Sequence, residues 1–413
     1  MTDGPKMTDG ARKTGEPSRE RGHRAQARVN LAAIERNCAR LCSELRHGAV
    51  LCAVVKADGY GHGAVPSARG ALAGGASWLA VASAAELSEL REAGLRKVRV
   101  LVMGPLDKSE LKEALAAGGE VVVWNERYLQ AVLAAGGGRV HVKLDSGMGR
   151  LGTRDAAEAS RVVAAAVEAS GVQLAGVMTH FATADELEDD DGFFSRQLGT
   201  FTSWARTMKA QYPQLTVHAA NSAAMLRDVE AQFDMVRCGI AVYGMDPFGR
   251  DPAARGLEPA LELSSYVAEV KHCRVGESAG YGRTFVAEHD TYIGVLPIGY
   301  GDGWRRALSN NADVLVGGRR RPLVGTVSMD SITVDLGPDA AAQDLRGGPA
   351  ILIGIQGHER VTAEEVARRL ETINYEITCG LTCRVQRVYH RDGAPLEAFE
   401  SAAHTRAVDA PRA

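Results

Sequence analysis

The stretch LCAVVKADGYGHG, Leu51 to Gly63, places a lysine at the end of an apolar run and follows it with a glycine-spaced turn carrying Asp58, Tyr60 and His62. An apolar run bounded by glycines reads as a strand covered on both faces, where a long cation needs either a partner or a route to water. Lys56 can snorkel to the surface from the strand end. It fits a phosphate loop poorly, because there the glycines precede the lysine and a Ser or Thr follows it, whereas here the glycines come after. The third option is an amine with a lowered pKa that attacks a carbonyl and forms a Schiff base. Which of these applies depends on the elements that place the lysine and on the groups placed beside it.

Apolar, strand-like runs recur at Leu51–Lys56, Trp78–Ala82, Val98–Met103, Glu120–Trp124, Arg139–Leu144, Leu174–His180, Thr216–Ala220 and Met235–Cys238. Helical periodicity separates most of them, and a helix from Leu31 to about Leu45 precedes the first. Ser83 with Glu86, and Asp107 with Glu110, have the spacing of capping boxes, and Gly94, Gly118 and Gly136 stop the helices. Eight such units predict a closed parallel (β/α)8 barrel, so the fold class is α/β. After about Glu258 the texture changes to strands and turns, as in YVAEVKHCRV, TYIGVLPIGYGDGW, ADVLVGG, PLVGTVSMDSITVDL and AILIG. One helix, Thr362 to about Thr372, interrupts them with Thr362 and Glu365 in capping-box spacing. The expected organisation is a tail at 1–27, a barrel at 28–258, a mainly-β domain at 259–395 and a loose end at 396–413.

At 413 residues with a formal net charge of −3, the chain gives no global case for nucleic acid, and no apolar run approaches the roughly 18 residues of a spanning helix. The first 27 residues are polar and basic without a hydrophobic segment, which reads as a disordered tail rather than an export signal. MTDG at Met1 and again at Met7 suggests a second start or a small duplication. Seven cysteines, an odd number, read as reduced thiols in a cytoplasmic protein. Cys38/Cys42 and Cys379/Cys383 lack zinc-site spacing and a histidine cluster, so no metal is expected and both are read as incidental buried pairs.

Barrel chemistry gathers at the C-terminal ends of the strands. Lys56 ends the first, His180 the sixth, Ala220–Ser222 follow the seventh and VRCGI, Val236–Ile240, the eighth. Singly, His180 reads as a core histidine, Asn221 and Ser222 as a helix cap, and Arg237 as a surface ion pair. Their convergence on one mouth favours a site.

The motifs AVVKADGYGHG, KLDSGMGRLG, THFATAD, HAANSAA, VRCGIAVYG, GYGRTF, PIGYGDGW, GTVSMD and INYEI stand in one order from Arg28 to about Asp392. With them the chain resembles the alanine racemases, pyridoxal 5'-phosphate (PLP) enzymes of fold type III. The resemblance implies an isomerase that interconverts L- and D-alanine by a two-base mechanism and supplies D-alanine for bacterial peptidoglycan. Lys56 would carry PLP, with its phosphate held by Tyr60, Ser222, Tyr375 and the backbone of Gly239 and Ile240, and Asn221 would also belong to the cofactor site. His180 would lie against the pyridine ring, and Arg237 would face its nitrogen. A guanidinium only donates, so that nitrogen would stay unprotonated, which weakens the electron sink and favours racemisation over side reactions.

The resemblance makes Lys56 and Tyr281 the two bases, one per face of the α-carbon. A phenol gives up its proton reluctantly, and His180 with Arg237 would assist Tyr281. Tyr281 would come from the partner subunit of a head-to-tail homodimer. Arg150 and the partner's Met329 backbone would hold the alanine carboxylate, Lys143 would be carbamylated to steer Arg150, and Tyr300 and Tyr375 would narrow the entrance. A related fold-type III decarboxylase would carry a carboxylate in place of Arg237, and a non-enzymatic PLP carrier would stop after the barrel. A broader or serine racemase remains as the alternative.

Overall fold

The computed structural model describes residues 24–188, 192–342 and 344–396. Eight parallel strands close a barrel: β2 (Val50–Val54), β3 (Trp78–Val81), β4 (Arg99–Val102), β5 (Glu120–Val123), β6 (Gly138–Lys143), β7 (Val172–Met178), β8 (Thr216–His218) and β9 (Met235–Cys238). Pairing of Val50–Ala53 with Met235–Cys238 completes the ring. Each expected strand is present, several of them trimmed by one or two residues.

The expected caps set the crossover helices. Ser83 accepts from Glu86 N and Asp107 from Ser109 N and Glu110 N, with reciprocal Glu86 and Glu110 bonds in both boxes. Gly94, Gly118 and Gly136 follow their helices with positive φ.

The second domain is mainly β, as expected. Its large sheet contains Leu261–Tyr266 (β10), Pro349–Gln356 and Gln386–Arg391, and a second sheet joins Glu269–Cys273, Thr291–Leu296 and Ile332–Asp335. Where one helix was expected there are two, Ala363–Arg369 and Asn374–Cys379. The tertiary context that stabilises the second is its seat against the turn after β2, where a Cβ on Gly61 would come 2.1 Å from Thr378 O.

Residues 24–27 are not tail. Gln26–Asn30 forms a strand (β1) inside the large sheet, antiparallel to β10 and parallel to Gln386–Arg391. Its alternation buries Ala27 and Val29 and leaves Gln26, Arg28 and Asn30 less covered. Residues 1–23 and 397–413, which hold the rest of both expected tails and the MTDG repeat, lie outside the described residues. After β1 the chain enters α1 (Leu31–Glu44) and then the barrel, so the β domain takes strands from both ends of the chain. One apolar core runs through both parts, joining barrel residues such as Leu79 and Val122 to Leu263 and Leu352.

The cysteine expectation holds for only one pair. Cys38 is buried and Cys42 half-buried in α1, whereas Cys379 and Cys383 are both exposed. The helix ends at Cys379, which removes the shared face that four-residue spacing would have given them.

Candidate active site

Lys56 does not end the strand but lies two residues past it, at the start of a turn of left-handed sense. Ala57, Asp58, Gly59 and Tyr60 all have φ between +51° and +59°. For Ala57, Asp58 and Tyr60 this costs about 1–2 kcal/mol each, so surrounding contacts must hold it. Glu86 supplies one, accepting Ala57 N–H through Oε1 (2.8 Å) while Oε2 takes Ala82 N–H (2.7 Å). Asp58 supplies another by accepting Ala64 N–H (3.0 Å). Only glycine fits at 63 as well, because a Cβ there would lie 2.0 Å from Tyr389 Oη. The glycine spacing noted in the sequence is thus the footprint of the β domain on the lysine loop.

Lys56 is half-buried, and burial, reinforced by the charge of Arg150, lowers its pKa. That environment suits an amine nucleophile. Tyr60 is buried and stacks on Tyr243 (centroids 5.1 Å), with the tilted ring of Tyr375 from Asn374–Cys379 5.9 Å away. A Cβ on Gly239 would lie 2.2 Å from Tyr60 Oη, and Ser222 Oγ accepts Gly239 N–H (3.1 Å) and Ala241 N–H (3.4 Å). Tyr60, Ser222, Gly239 and the adjoining Ile240 therefore share one small pocket of hydroxyls and amides. Asn221 uses Oδ1 as the N-cap of Ser222–Arg227, accepting Ala224 N–H (2.9 Å). It thereby fixes the loop that presents Ser222.

Arg237, expected at the mouth, is buried rather than a surface ion pair. Nη2 donates its two hydrogens to Thr179 O and Ala219 O (both 2.9 Å), one of them shared with His180 Nδ1 (3.2 Å), and Nη1 donates to His218 Nδ1 (2.9 Å). Since guanidinium only donates, both imidazoles accept on Nδ1, and His180 is left with its hydrogen on Nε2. Burial, followed by the charge of Arg237, keeps His180 neutral by lowering its pKa well below the ordinary value. Arg237 Nε is buried and has no partner. Burial lowers the Arg237 pKa to about 10, which still leaves it charged at neutral pH.

Lys143, the last residue of β6, is buried, and burial with the charges of Arg150 and Arg237 lowers it to about 8. Arg150 is exposed on a loop shaped by Asp145, which accepts the N–H groups of Gly147 and Gly149.

The remaining expected residues form a second group on the β domain. Tyr281 caps a small hairpin between Ser278–Ala279 and Phe285–Val286 and is 73% exposed, while Met329 is 51% and Tyr300 41% exposed. Their loops are tied together: Thr326 Oγ1 donates to Tyr281 O (2.8 Å), Tyr300 N–H to Ser328 O (3.0 Å) and Gly301 N–H to Met329 O (2.9 Å). Buried Asp302 anchors the group through Arg24 (3.3 Å) and Arg384 (3.2 Å). Sequence reasoning missed Arg24, Asp302 and Arg384, and also a buried column behind Arg237. The signal for Asp302 was an aspartate inside a glycine-rich apolar segment.

The family model of the alanine racemase N-terminal domain matches residues 29–247, and that of the C-terminal domain matches 260–389. The chain belongs to the alanine racemase family. It is 42% identical to the alanine racemase of Thermobifida fusca over 88% of this chain and 98% of that one. It is 40% identical to the Geobacillus stearothermophilus racemase, over 90% and 95%. Among solved structures, the alanine racemase of D-cycloserine-producing Streptomyces lavendulae superposes with a TM-score of 0.84 at 36% identity, covering 90% of this chain and 98% of that one. The activity is accordingly alanine racemisation, an isomerase reaction.

Proposed function

We propose that this racemisation uses PLP carried on Lys56, with Lys56 and the partner subunit's Tyr281 as the opposing acid–base groups of a head-to-tail homodimer. The observation that carries the cofactor assignment is the buried, unpartnered Nε–H of Arg237, which calls for an acceptor such as an unprotonated pyridine nitrogen. The other residues fit the same group. Tyr60, Ser222, Tyr375 and the amide of Ile240 suit a phosphate, Gly239 N–H and Asn221 hold Ser222 and its loop in place, and neutral His180 suits a ring face. When bound, PLP supplies the electron withdrawal that acidifies the α-hydrogen of an amino acid.

The chain's own groups then divide the work. Arg150 offers a planar fork to the alanine carboxylate, aided by the partner's Met329 backbone. Lys56 Nζ holds or moves a proton on one face. On the other, Tyr281 Oη does so, and the Nε2–H that Arg237 leaves on His180 is the donor suited to steady its oxygen. Tyr300 and Tyr375 narrow the opening to a methyl side chain. A neutral fraction of Lys143 beside two arginines suits carbamylation, which would turn a buried cation into an anion facing Arg150. No described helix is long and apolar enough to cross a membrane, and the reduced cysteines fit a cytoplasmic enzyme making D-alanine for peptidoglycan.

The test is borohydride reduction of the purified protein followed by peptide mapping. The pyridoxyl group is expected on Lys56, and its recovery on Lys143 or another lysine overturns the assignment.

A further inference from the structure

Behind Arg237 a line of buried polar side chains crosses the barrel interior. His218 Nε2 meets His141 Nδ1 at 2.9 Å, and His141 Nε2 meets Glu120 Oε2 at 3.0 Å. Arg99 closes the line with two bonds to Glu120 (2.5 and 2.8 Å), lying 3.6 Å over the Trp78 ring, and Arg139 approaches to 3.6 Å. Glu120, His141, His218 and Arg237 are all buried. Glu120 opens β5, whereas Arg237 stands one residue from the end of β9, so the column runs from the far end of the barrel to its mouth.

The space for it is built into the sheet. His141 and His218 lie on β6 and β8, with β7 between them. The β6/β7 register shifts between Val140 and His141. Facing the shift is Gly176, where a Cβ would lie 2.5 Å from His141 Nδ1 and 2.4 Å from Thr216 O. Any side chain there would part the two imidazoles.

The direction of every bond follows from its ends. Arg237 only donates, so His218 accepts on Nδ1 and carries its hydrogen on Nε2. His141 then accepts on Nδ1 and donates from Nε2, which requires an acceptor-only group beyond it. An ionised carboxylate is that group. Burial opposes ionisation of Glu120, but the bonds from His141 and Arg99 outweigh it and hold the carboxyl well below its usual range. Burial keeps both histidines on the neutral side. A charged arginine at the mouth cannot accept a proton, so the column is not a proton conduit.

We propose that Glu120 is a remote positioning residue of the cofactor site: through His141 and His218 it fixes both tautomers, and so the orientation in which Arg237 presents Nε–H to the pyridine nitrogen. This rests on the PLP assignment made above. Without the carboxylate, His141 is free to move its hydrogen to Nδ1, which opposes the Nε2–H of His218 and, through it, the Nη1–H of Arg237.

The experiment combines 15N spectra of histidine-labelled holoenzyme with cofactor absorption and cofactor release. In the parent protein, His141 and His218 should both be neutral with hydrogen on Nε2. Glu120→Leu should mix or invert the His141 tautomer, change the visible absorption of the bound cofactor and weaken its retention about tenfold, the effect of leaving one buried donor unsatisfied. Gly176→Ala, which leaves every polar group in place, should break the same line at its middle and move the same signals. An imidazolium or an Nδ1–H tautomer at either histidine in the parent overturns the proposal, and this reading survives any failure of a variant to fold. Unchanged tautomers, absorption and retention in the variants, with Lys56 still carrying the pyridoxyl label, overturn the column alone. A parent protein without that label overturns the cofactor assignment and the proposal with it.

Discussion

The barrel mouth and the Tyr281 face of the β domain carry the two halves of the proposed chemistry, yet they are built in opposite ways. At the mouth, Lys143 and Arg237 are buried with Lys56 half-covered, three cations compressed until burial lowers the pKa of each. On the β domain, Tyr281, Tyr300 and Met329 stand exposed, and order comes from backbone bonds and the Asp302 anchor beneath them. One half is complete within a protomer. The other is rigid but uncovered, as a surface is when it completes a neighbour's site.

The sharpest way to break this contrast is to delete the amine. Lys56→Ala should lower racemisation by about 10³-fold or more, followed by chiral chromatography, and a loss under tenfold would move the chemistry away from the mouth. Next comes the exposed half. Tyr281→Phe should cost about 10²- to 10³-fold while the cofactor stays bound, with slow exchange of the α-hydrogen persisting from one enantiomer. Mixing the two variants sharpens the comparison further: a heterodimer would contain one intact and one doubly altered site. It should recover about half the parent activity. Inactive, verified heterodimers would put both groups in one protomer.

A smaller effect is expected from Arg237→Glu, which offers the pyridine nitrogen an acceptor and so favours its protonation. Turnover should slow by about tenfold, and as carbanion lifetime grows pyruvate should form from alanine with matching conversion of the cofactor to pyridoxamine phosphate. An unchanged rate without pyruvate, in folded and loaded protein, would reduce Arg237 to a structural ion.

The smallest effect concerns Lys143. Its pKa of about 8 lies below the roughly 10.4 of an unfolded lysine, so between those values the unfolded chain binds the extra proton. Stability in bicarbonate-free buffer should therefore rise with pH across that window, the cost being fully present below it. Lys143→Met should be more stable than the parent at pH 7 by about 1–3 kcal/mol and lose that gain above pH 8. A melting difference independent of pH would mean that the lysine is not compressed.

Much of this was legible before the structure. Barrel strands announce themselves as short apolar runs between capped helices, and Lys56, His180, Ser222 and Arg237 follow from their places at or just beyond strand ends. The left-handed turn was not, because Ala57, Asp58 and Tyr60 are ordinary residues whose strain is held by Glu86, 29 positions from Ala57. The strand Gln26–Asn30 escaped for a similar reason: with both partner strands more than two hundred residues away, its first two residues read as tail and its last three as the start of the barrel domain. The column was readable in part. Glu120 and His141 interrupt runs that otherwise face a packed interior, and a buried carboxylate needs partners. Only the register shift beside Gly176 shows that those partners are each other.

That strand carries a consequence for how the molecule comes into being. A ribosome releases Gln26–Asn30 before any barrel strand, but the strand's neighbours emerge after the barrel is finished, and Gln386–Arg391 more than a hundred residues after Leu261–Tyr266. One edge can pair with Leu261–Tyr266 soon after the last barrel strand, but the other waits for Gln386–Arg391, so assembly of the large sheet has high contact order. The barrel can close early, but the helix that carries Tyr375 and seats Thr378 against the lysine loop is synthesised well after it. The left-handed lysine loop is therefore packed only once the β domain has joined the barrel.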